Sequence, residues 1–334
     1  MNERTLVSIV IPYYNSEKTI RKCIGSLLEQ TEPCFEIIIV DDGSTDETLY
    51  KYNLEEDQRI KIIKQKNSGS AEAKNNGLKY AKGQYIMFLD ADDYFEEGMI
   101  EGLLNVFTNE TIDIVLSGFN FVNKNGEKLE YSGQEKGPQG IYTGMEALEM
   151  FLSGEIGPIG RNVIFKKTYI DEYYIGGIFP SGRTKEDGAT AFKILGNAHE
   201  IYILNERYYN YVQHEESLVH KVNPIDVDNI IINNNELVTY LKKIPENEKL
   251  LKLKDNFIFS NLFQEYKKIL ISEKDVRQKY MKVIKVKIEK NMSENVKYKN
   301  LSMKNKIKRI MDKLNLITLV LKINRVFQNR GREV

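Results

Sequence analysis

The sequence predicts an α/β fold, a mostly parallel sheet flanked by helices, followed by a helical C-terminal extension. Three observations predict it. Short β-branched runs such as Leu6 to Ile11 and Glu36 to Val40 read as strands buried on both faces. Amphipathic helical stretches separate them at the spacing of βαβ units, which implies parallel pairing through right-handed crossovers. From about Pro224 onward the strand rhythm stops and helical periodicity takes over.

In order, Leu6 to Ile11 is the first strand. It is followed by a helix from about Ser16 to Gln30, with Ser16 as N-cap and Ile20, Cys23, Ile24, Leu27 and Leu28 on its apolar face. Glu36 to Val40 is the second strand, Asp46 to Asn53 a short helix, and Ile60 to Ile63 the third strand. Ala71 to Ala81 is the third helix and Tyr85 to Leu89 the fourth strand. A helix over Glu97 to Phe107 and a strand over Ile112 to Ser117 come next, then a Gly-rich stretch from Asn123 to Gly140 that reads as a hairpin or loop. The reading divides the chain into a catalytic domain over 1–222 and a helical region over 223–334.

With 334 residues, 41% apolar and 29% charged, and only seven prolines, the chain is globular and not of low complexity. Its 48 basic and 48 acidic residues cancel, so the total charge implies no nucleic-acid partner. The distribution is uneven. From Lys274 to the end there are 18 Lys/Arg against 5 Asp/Glu, a net +13, so the first 273 residues of this neutral chain carry −13. Cys23 and Cys34 fit neither a disulfide framework nor a zinc pattern, which makes a reducing cytoplasm the expected compartment. No apolar run approaches the roughly 20 residues of a spanning helix.

Ligands of open parallel sheets sit beyond the carboxyl ends of the strands. Those ends read Pro12-Tyr13-Tyr14-Asn15, Asp41-Asp42, Gln65-Lys66-Asn67 and Asp90-Ala91-Asp92-Asp93. In an extended segment Asp90 and Asp92 point the same way and can converge on one ligand. Carboxylates without His or Cys nearby suit Mg²⁺ or Mn²⁺ shared with phosphate oxygens; the competing reading is acidic capping of a following helix. Asp41 to Asp46 offers carboxylates to a base or ribose, or else forms an Asx-turn with Thr45 or Asp46 as a cap. Glu186 and Asp187 lie far downstream and open a helix. An ionised carboxylate there is a candidate general base, and a solvated helix terminus is the plainer alternative.

These pieces in this order resemble the family 2 glycosyltransferases. The matching runs are VSIVIPYYNSEKTIRKCIGSLLEQ, EIIIVDDGSTDET, KNSGSAEAKNNGLKYAKGQYIMFLDADDYF and FPSGRTKEDGATAFKIL. The resemblance implies the GT-A fold, a Rossmann-like sheet, and inverting transfer of a sugar from a nucleotide-sugar, commonly a UDP-sugar, to an acceptor hydroxyl. It implies that Pro12, Tyr14 and Asp42 hold the nucleobase and that Asn67 lines the uridine site. Asp90 contacts the ribose or donor sugar, Asp92 ligates Mn²⁺ or Mg²⁺, and Asp187 is the base, positioned by Glu186. The implied acceptor is a glycan or lipid-linked molecule in surface or capsular polysaccharide or glycoconjugate synthesis.

The chain departs from the family's pattern at three places. Lys74 stands where relatives often have arginine, and lacks its planar fork. Arg161 and Val163 stand where they often have tryptophan and lysine. Near Ser217, where arginines are usual, the nearest basic residue is His214, which would assist the diphosphate if protonated.

Lys304 to Gln328 is the most amphipathic stretch of the tail. Ile307, Ile310, Met311, Leu314, Ile317, Val320 and Leu321 form one face among lysines and arginines. It reads as a peripheral contact with the inner face of the cell membrane, or as a packing or homo-oligomer element.

Rival classes lack their signatures. No GxGxxG follows the first strand, as a nicotinamide enzyme requires, and no GxxxxGK[ST] is present. The Gly-rich first loop of a sugar-nucleotide pyrophosphorylase is missing. The remaining alternative is a catalytically inactive GT-A-like binding or scaffold protein.

Overall fold

A computed structural model describes residues 6–107, 109–129, 138–157, 159–213 and 223–313. The chain forms two compact units, Met1–Phe151 with Glu155–His214 and Leu152–Gly154 with Glu215–Val334.

The first unit begins with the alternation the sequence predicts. Strands β1 (Val7–Tyr13), β2 (Phe35–Asp41), β3 (Ile60–Lys64) and β4 (Tyr85–Phe88) are joined by α1 (Ile20–Leu28), α2 (Thr48–Lys51) and α3 (Ser70–Leu78). They pair in parallel in the order β3-β2-β1-β4. The register sets Tyr13 beside Asp41 and Asp41 beside Lys64, so all the carboxyl ends open on one rim.

Both faces of β1 and β2 are buried, which explains their unbroken apolar composition. Ile9, Ile11, Ile37 and Ile39 pack with Ile20, Cys23, Ile24 and Leu27 of α1. On the opposite face α3 lies so close that a Cβ at Gly77 would overlap the Val10 side chain. That glycine sets the depth at which α3 rests on the sheet.

Beyond β4 the sheet becomes mixed. The elements are β5 (Tyr94–Phe95), α4 (Met99–Leu104), β6 (Ile112–Val122), β7 (Gly140–Thr143), α5 (Gly144–Ser153), β8 (Val163–Lys166), α6 (Lys167–Tyr173), α7 (Glu186–Asn197) and β9 (Glu200–Val212). The order continues β4-β8-β6-β9-β5, with β7 on β9. β8 is antiparallel to both neighbours, whereas β6 and β9 are parallel with register shifts near Ile112 and Gly118. Such irregularities sharpen local twist and curl the sheet.

Several expected boundaries are corrected. Ser16 is not the N-cap of α1: Thr19 is, without a side-chain cap bond, and the Ser16 hydroxyl donates to the Tyr14 carbonyl at 3.1 Å. A turn accepting on the Ser16 carbonyl takes up the intervening residues and delays the helix. α2 is one turn long and has Glu47, not Thr45 or Asp46, at its N-cap. β6 runs past Ser117 to Val122, where the chain bonds back across Asn123 and Glu127; residues 130–137 of the Gly-rich stretch lie outside the described residues.

The second unit contains α8 (Pro224–Leu241), α9 (Glu248–Ile271), α10 (Lys274–Asn295) and α11 (Met303–Lys313). Asn223 caps α8 by accepting from the Ile225 amide at 3.0 Å. A polar seam ties α8 to α10: Asn234 donates to Asn291 at 3.2 Å, and Asn291 donates to Asn235 at 3.1 Å. Paired amides inside a helical core fix one register, because a slip would strand them. Of the amphipathic stretch 304–328, only 304–313 is described; there Ile307 and Ile310 are about half exposed. Among the described residues, no helix is long and apolar enough to cross a membrane.

Candidate active site

The rim at the ends of β1, β2 and β3 is held by hydrogen bonds within and between its loops. Pro12 closes the apolar part of β1 opposite Val40. Tyr13 turns inward and its hydroxyl donates to Asp46 Oδ1 at 2.5 Å; burial, reinforced by Asp46, pushes this phenol far above its ordinary value. Tyr14 therefore points outward, 49% exposed. Asn15 adopts a left-handed conformation with φ 48°. Its Oδ1 accepts from the Thr45 amide at 2.8 Å, and its own amide donates to Ser44 Oγ at 3.1 Å, which joins the loops after β1 and β2.

The two adjacent aspartates at the end of β2 divide their work. Asp41 accepts from the Ser44 amide, three residues on, at 2.8 Å and from the Tyr50 hydroxyl at 2.9 Å. Asp42 is buried and reaches across to the β3–α3 loop. Its Oδ1 accepts from Gln65 Nε2 at 2.8 Å and the Ser68 amide at 2.7 Å, and its Oδ2 from the Gly69 amide at 2.8 Å. A carboxylate offers about four acceptor positions, so Oδ2 retains capacity for one more donor. Asn67 sits exposed in the same loop.

The second part of the rim is ionic. Lys74 leaves α3 almost fully buried, with Nζ 3.1 Å from Asp90 Oδ1 and 3.5 Å from Glu186 Oε1. Arg161 makes the parallel link, with Nη2 3.3 Å from Asp187 Oδ2 and Nε 3.9 Å from Asp90 Oδ2. The helix terminus carrying Glu186 and Asp187 is brought here by Asn75. Its side chain donates to the Phe179 carbonyl at 2.6 Å and accepts from the Phe179 amide at 3.0 Å. Phe179 then packs edge-on to Phe88 of β4, and Lys185, in a left-handed conformation, starts α7. Asp90, Glu186 and Asp187 thus share one cluster with two cations.

The electrostatics follow from this mixture. Burial alone would lower the Lys74 pKa, but Asp90, Asp187 and Glu186 outweigh it and raise it. Burial likewise disfavours ionised Asp90, yet Lys74 and Arg161 hold its carboxyl below the usual range. Glu186 is raised, by burial first, with Asp187 adding and Lys74 opposing. Asp187 is distinguished by its bonding: Oδ1 is buried and has no hydrogen-bond partner among the described residues.

The third acid of the Asp90–Asp93 run has a different task. Asp93 is buried and accepts from the Tyr209 hydroxyl at 2.6 Å and the Val212 amide at 2.8 Å, tying the end of β4 to β9. Asp92 is half-buried between the two. Among the described residues no three His, Cys, Asp or Glu side chains gather as a metal cage. Mg²⁺ and Mn²⁺ commonly take one or two carboxylates and fill their remaining positions with phosphate and water. The donor set at Asp92 therefore fits an ion shared with a diphosphate, not one enclosed by protein alone.

Residues 8–173 match glycosyl transferase family 2. The glycosyltransferase GlyG of Streptococcus pneumoniae serotype 4 is 30% identical over 228 residues, covering 64% of this chain and 73% of GlyG. The chain belongs to glycosyl transferase family 2. Its fold is that of TarS 1–349 of Staphylococcus aureus, solved in complex with UDP-GlcNAc, with a TM-score of 0.62 at 22% identity over 86% of this chain and 89% of that one. The mannosyltransferase PcManGT of Pyrobaculum calidifontis, solved with GDP-Man and Mn²⁺, is similar with a TM-score of 0.55 at 15% identity, covering 96% and 87%. This family 2 glycosyltransferase thus has the GT-A architecture, a mixed α/β sheet, with a helical C-terminal region.

Of the residues singled out from sequence, Asp42 and Asn67 share one loop system and Lys74, Asp90, Glu186 and Asp187 share the ionic cluster. His214 lies outside the described residues. Sequence reasoning did not assign roles to Arg161, Asn15, Asn75 or Asp93. Arg161 had a signal, its departure from the family's pattern; the other three act through contacts that a linear reading does not reveal.

Proposed function

We propose that the chain is a divalent-metal-dependent, inverting glycosyltransferase that moves a sugar from a UDP-sugar to an acceptor hydroxyl. The acceptor would be a glycan or lipid-linked intermediate of surface or capsular polysaccharide or another glycoconjugate. The observation that carries this reading is the meeting of Asp90, Glu186 and Asp187 around Lys74 and Arg161 at the carboxyl rim of the sheet.

In this reading Tyr14 stacks on the base, Asp42 Oδ2 accepts a base N–H, and Pro12 and Asn67 border the uridine. Lys74 fixes Asp90, which contacts the ribose or donor sugar, while Asp92 would hold the Mn²⁺ or Mg²⁺. Bound there, the ion would neutralise charge on the departing diphosphate. Asp187, whose side chain keeps 19% of its surface exposed, removes the proton from the acceptor hydroxyl. Glu186 keeps that helix terminus anchored to Lys74. Aligning the reacting atoms supplies much of the acceleration, and no covalent enzyme intermediate is needed. His214 adds a donor toward the diphosphate. The location in this reading is the cytoplasm, at the inner face of the membrane, with the basic stretch 304–328 on anionic lipid.

The test is donor hydrolysis, UDP release by the full chain with Mn²⁺ from an equimolar mixture of UDP-glucose, UDP-galactose and their N-acetylated forms, with water in the place of the acceptor hydroxyl. Asp187→Asn should lower release by about 10²–10⁴-fold, the range of a general base, at unchanged UDP affinity, and Asp92→Ala should lose both. Parental rates in both variants would overturn the assignment.

A further inference from the structure

We propose that a cleft in the helical region takes one acyl chain of an anionic phospholipid, with the lipid phosphate met by Lys267, Lys304 and Lys308. No residue of the rim enters this site, so it stands or falls apart from the transferase reading.

The cleft lies between α9, α10 and α11 and has a volume of about 220 Å³. Phe259 and Phe263 of α9 wall one side, their rings stacked 5.8 Å apart at 11°, and Ile288 and Met292 of α10 supply more of the lining. Phe259, Ile288 and Met292 are buried, so the cleft reaches into the helical core. An apolar cavity of about 150 Å³ stays dry and accepts a hydrocarbon, and this lining favours a hydrocarbon over water in the same way. Its two carboxylates have their own partners. The Tyr266 hydroxyl donates to Asp312, and Lys285 Nζ stands 3.9 Å from Glu289 Oε1.

Cations gather at one edge. Lys308 Nζ lies 5.0 Å from the centroid of the Phe263 ring. Burial first, and then Lys304 and Lys267, lower the pKa of this ammonium, so three like charges face one another beside the aromatic wall. Lys304 and Lys308 are one turn apart on α11, a spacing at which like charges repel. Lys267 adds the third from α9, and Arg309 lines the cleft next to Lys308. An anion at this edge relieves the repulsion. A hydrocarbon slot beside three cations is complementary to a phospholipid, the chain in the slot and the phosphate at the lysines.

The experiment uses the full chain and dodecanoyl lysophosphatidylglycerol below its micelle concentration, followed by calorimetry. Dodecanoyl lysophosphatidylcholine and glycerol phosphate are the controls. The lysophosphatidylglycerol should bind at a single site at least about tenfold more tightly than either control, because one lacks the net charge and the other the chain. Met292→Trp, which fills the cleft from its wall, should keep the parental Tm and weaken binding by about tenfold or more, the loss of about two buried methylenes. It should also lower association with phosphatidylglycerol vesicles. The exposed pair Lys267→Gln and Lys304→Gln should together weaken binding by about tenfold or more, and this double variant carries the test alone if the tryptophan variant does not fold. No binding by the parent, equal binding of either control, or undiminished binding in either folded variant would each overturn the proposal. Vesicle association left unchanged by a folded Met292→Trp would overturn it too, leaving the basic stretch 304–328 as a contact of surface charge. Lipid-independent dimerisation that Met292→Trp abolishes would give the cleft to a second copy of the chain, again overturning it. Loss of UDP release bears on the rim and is scored separately.

Discussion

The two parts of the rim are built from opposite materials. After β1, β2 and β3 the loops are fixed by backbone amides that donate to the side chains of Asn15, Asp41 and Asp42, within one loop for Asp41 and across loops for Asn15 and Asp42. At the end of β4 and the start of α7, charges set the geometry: Lys74 and Arg161 each divide themselves between two carboxylates. A hydrogen-bonded loop fails locally when one partner is lost, whereas a balanced charge cluster leaves a buried ion behind. The ionic part should therefore be the more fragile of the two.

The largest stability effect should come from Lys74→Met, which fills the space but takes from Glu186 its cation and leaves Asp90 with Arg161 alone. Removing one partner of a buried pair costs about 3–5 kcal/mol, readable in urea unfolding. A loss below that of the Asp42 variant would reverse the comparison. Asp42→Ala should cost about 1–3 kcal/mol through the orphaned Gln65, Ser68 and Gly69 donors, with proteolytic sensitivity rising within 65–69 and nowhere in α7. Tyr14→Ala should be the mildest for the fold, within about 0.5 kcal/mol because the ring is exposed. It should nonetheless weaken UDP binding by about 1–3 kcal/mol, the value of one stacked base. A Tyr14→Ala protein with parental UDP affinity would sever this side of the rim from the donor.

The same division explains what could be read from the sequence. β1 to β3 announce themselves because each is short, rich in β-branched residues and followed by its own helix, and β4 is a short apolar run, so the pattern is local and the carboxyl rim follows from parallel pairing. β9 does not, because its exposed stretch from Asn205 to Arg207 breaks alternation where the register with β6 shifts. Ser16 was a reasonable cap by type, yet a turn on its carbonyl displaced the helix start to Thr19 and Ile20. Among the site residues, Asp90 and Asp187 were visible as acids at element ends. That Asp93 accepts from Tyr209 and Val212 of β9, and that Asn75 holds Phe179, is not visible, because both depend on partners remote in the chain. Arg161 was noticeable only as a residue of the wrong type for its place.

The left-handed Asn15 carries a consequence for timing. Its amide and side chain bond the turns after β1 and β2 to each other, so a nucleotide bound there as proposed would meet a surface already arranged. Little conformational freedom remains to be lost there on association. Encounter on this side should thus resemble docking onto a finished shelf, with any slow rearrangement confined to the charged side, where several partners must be exchanged before transfer.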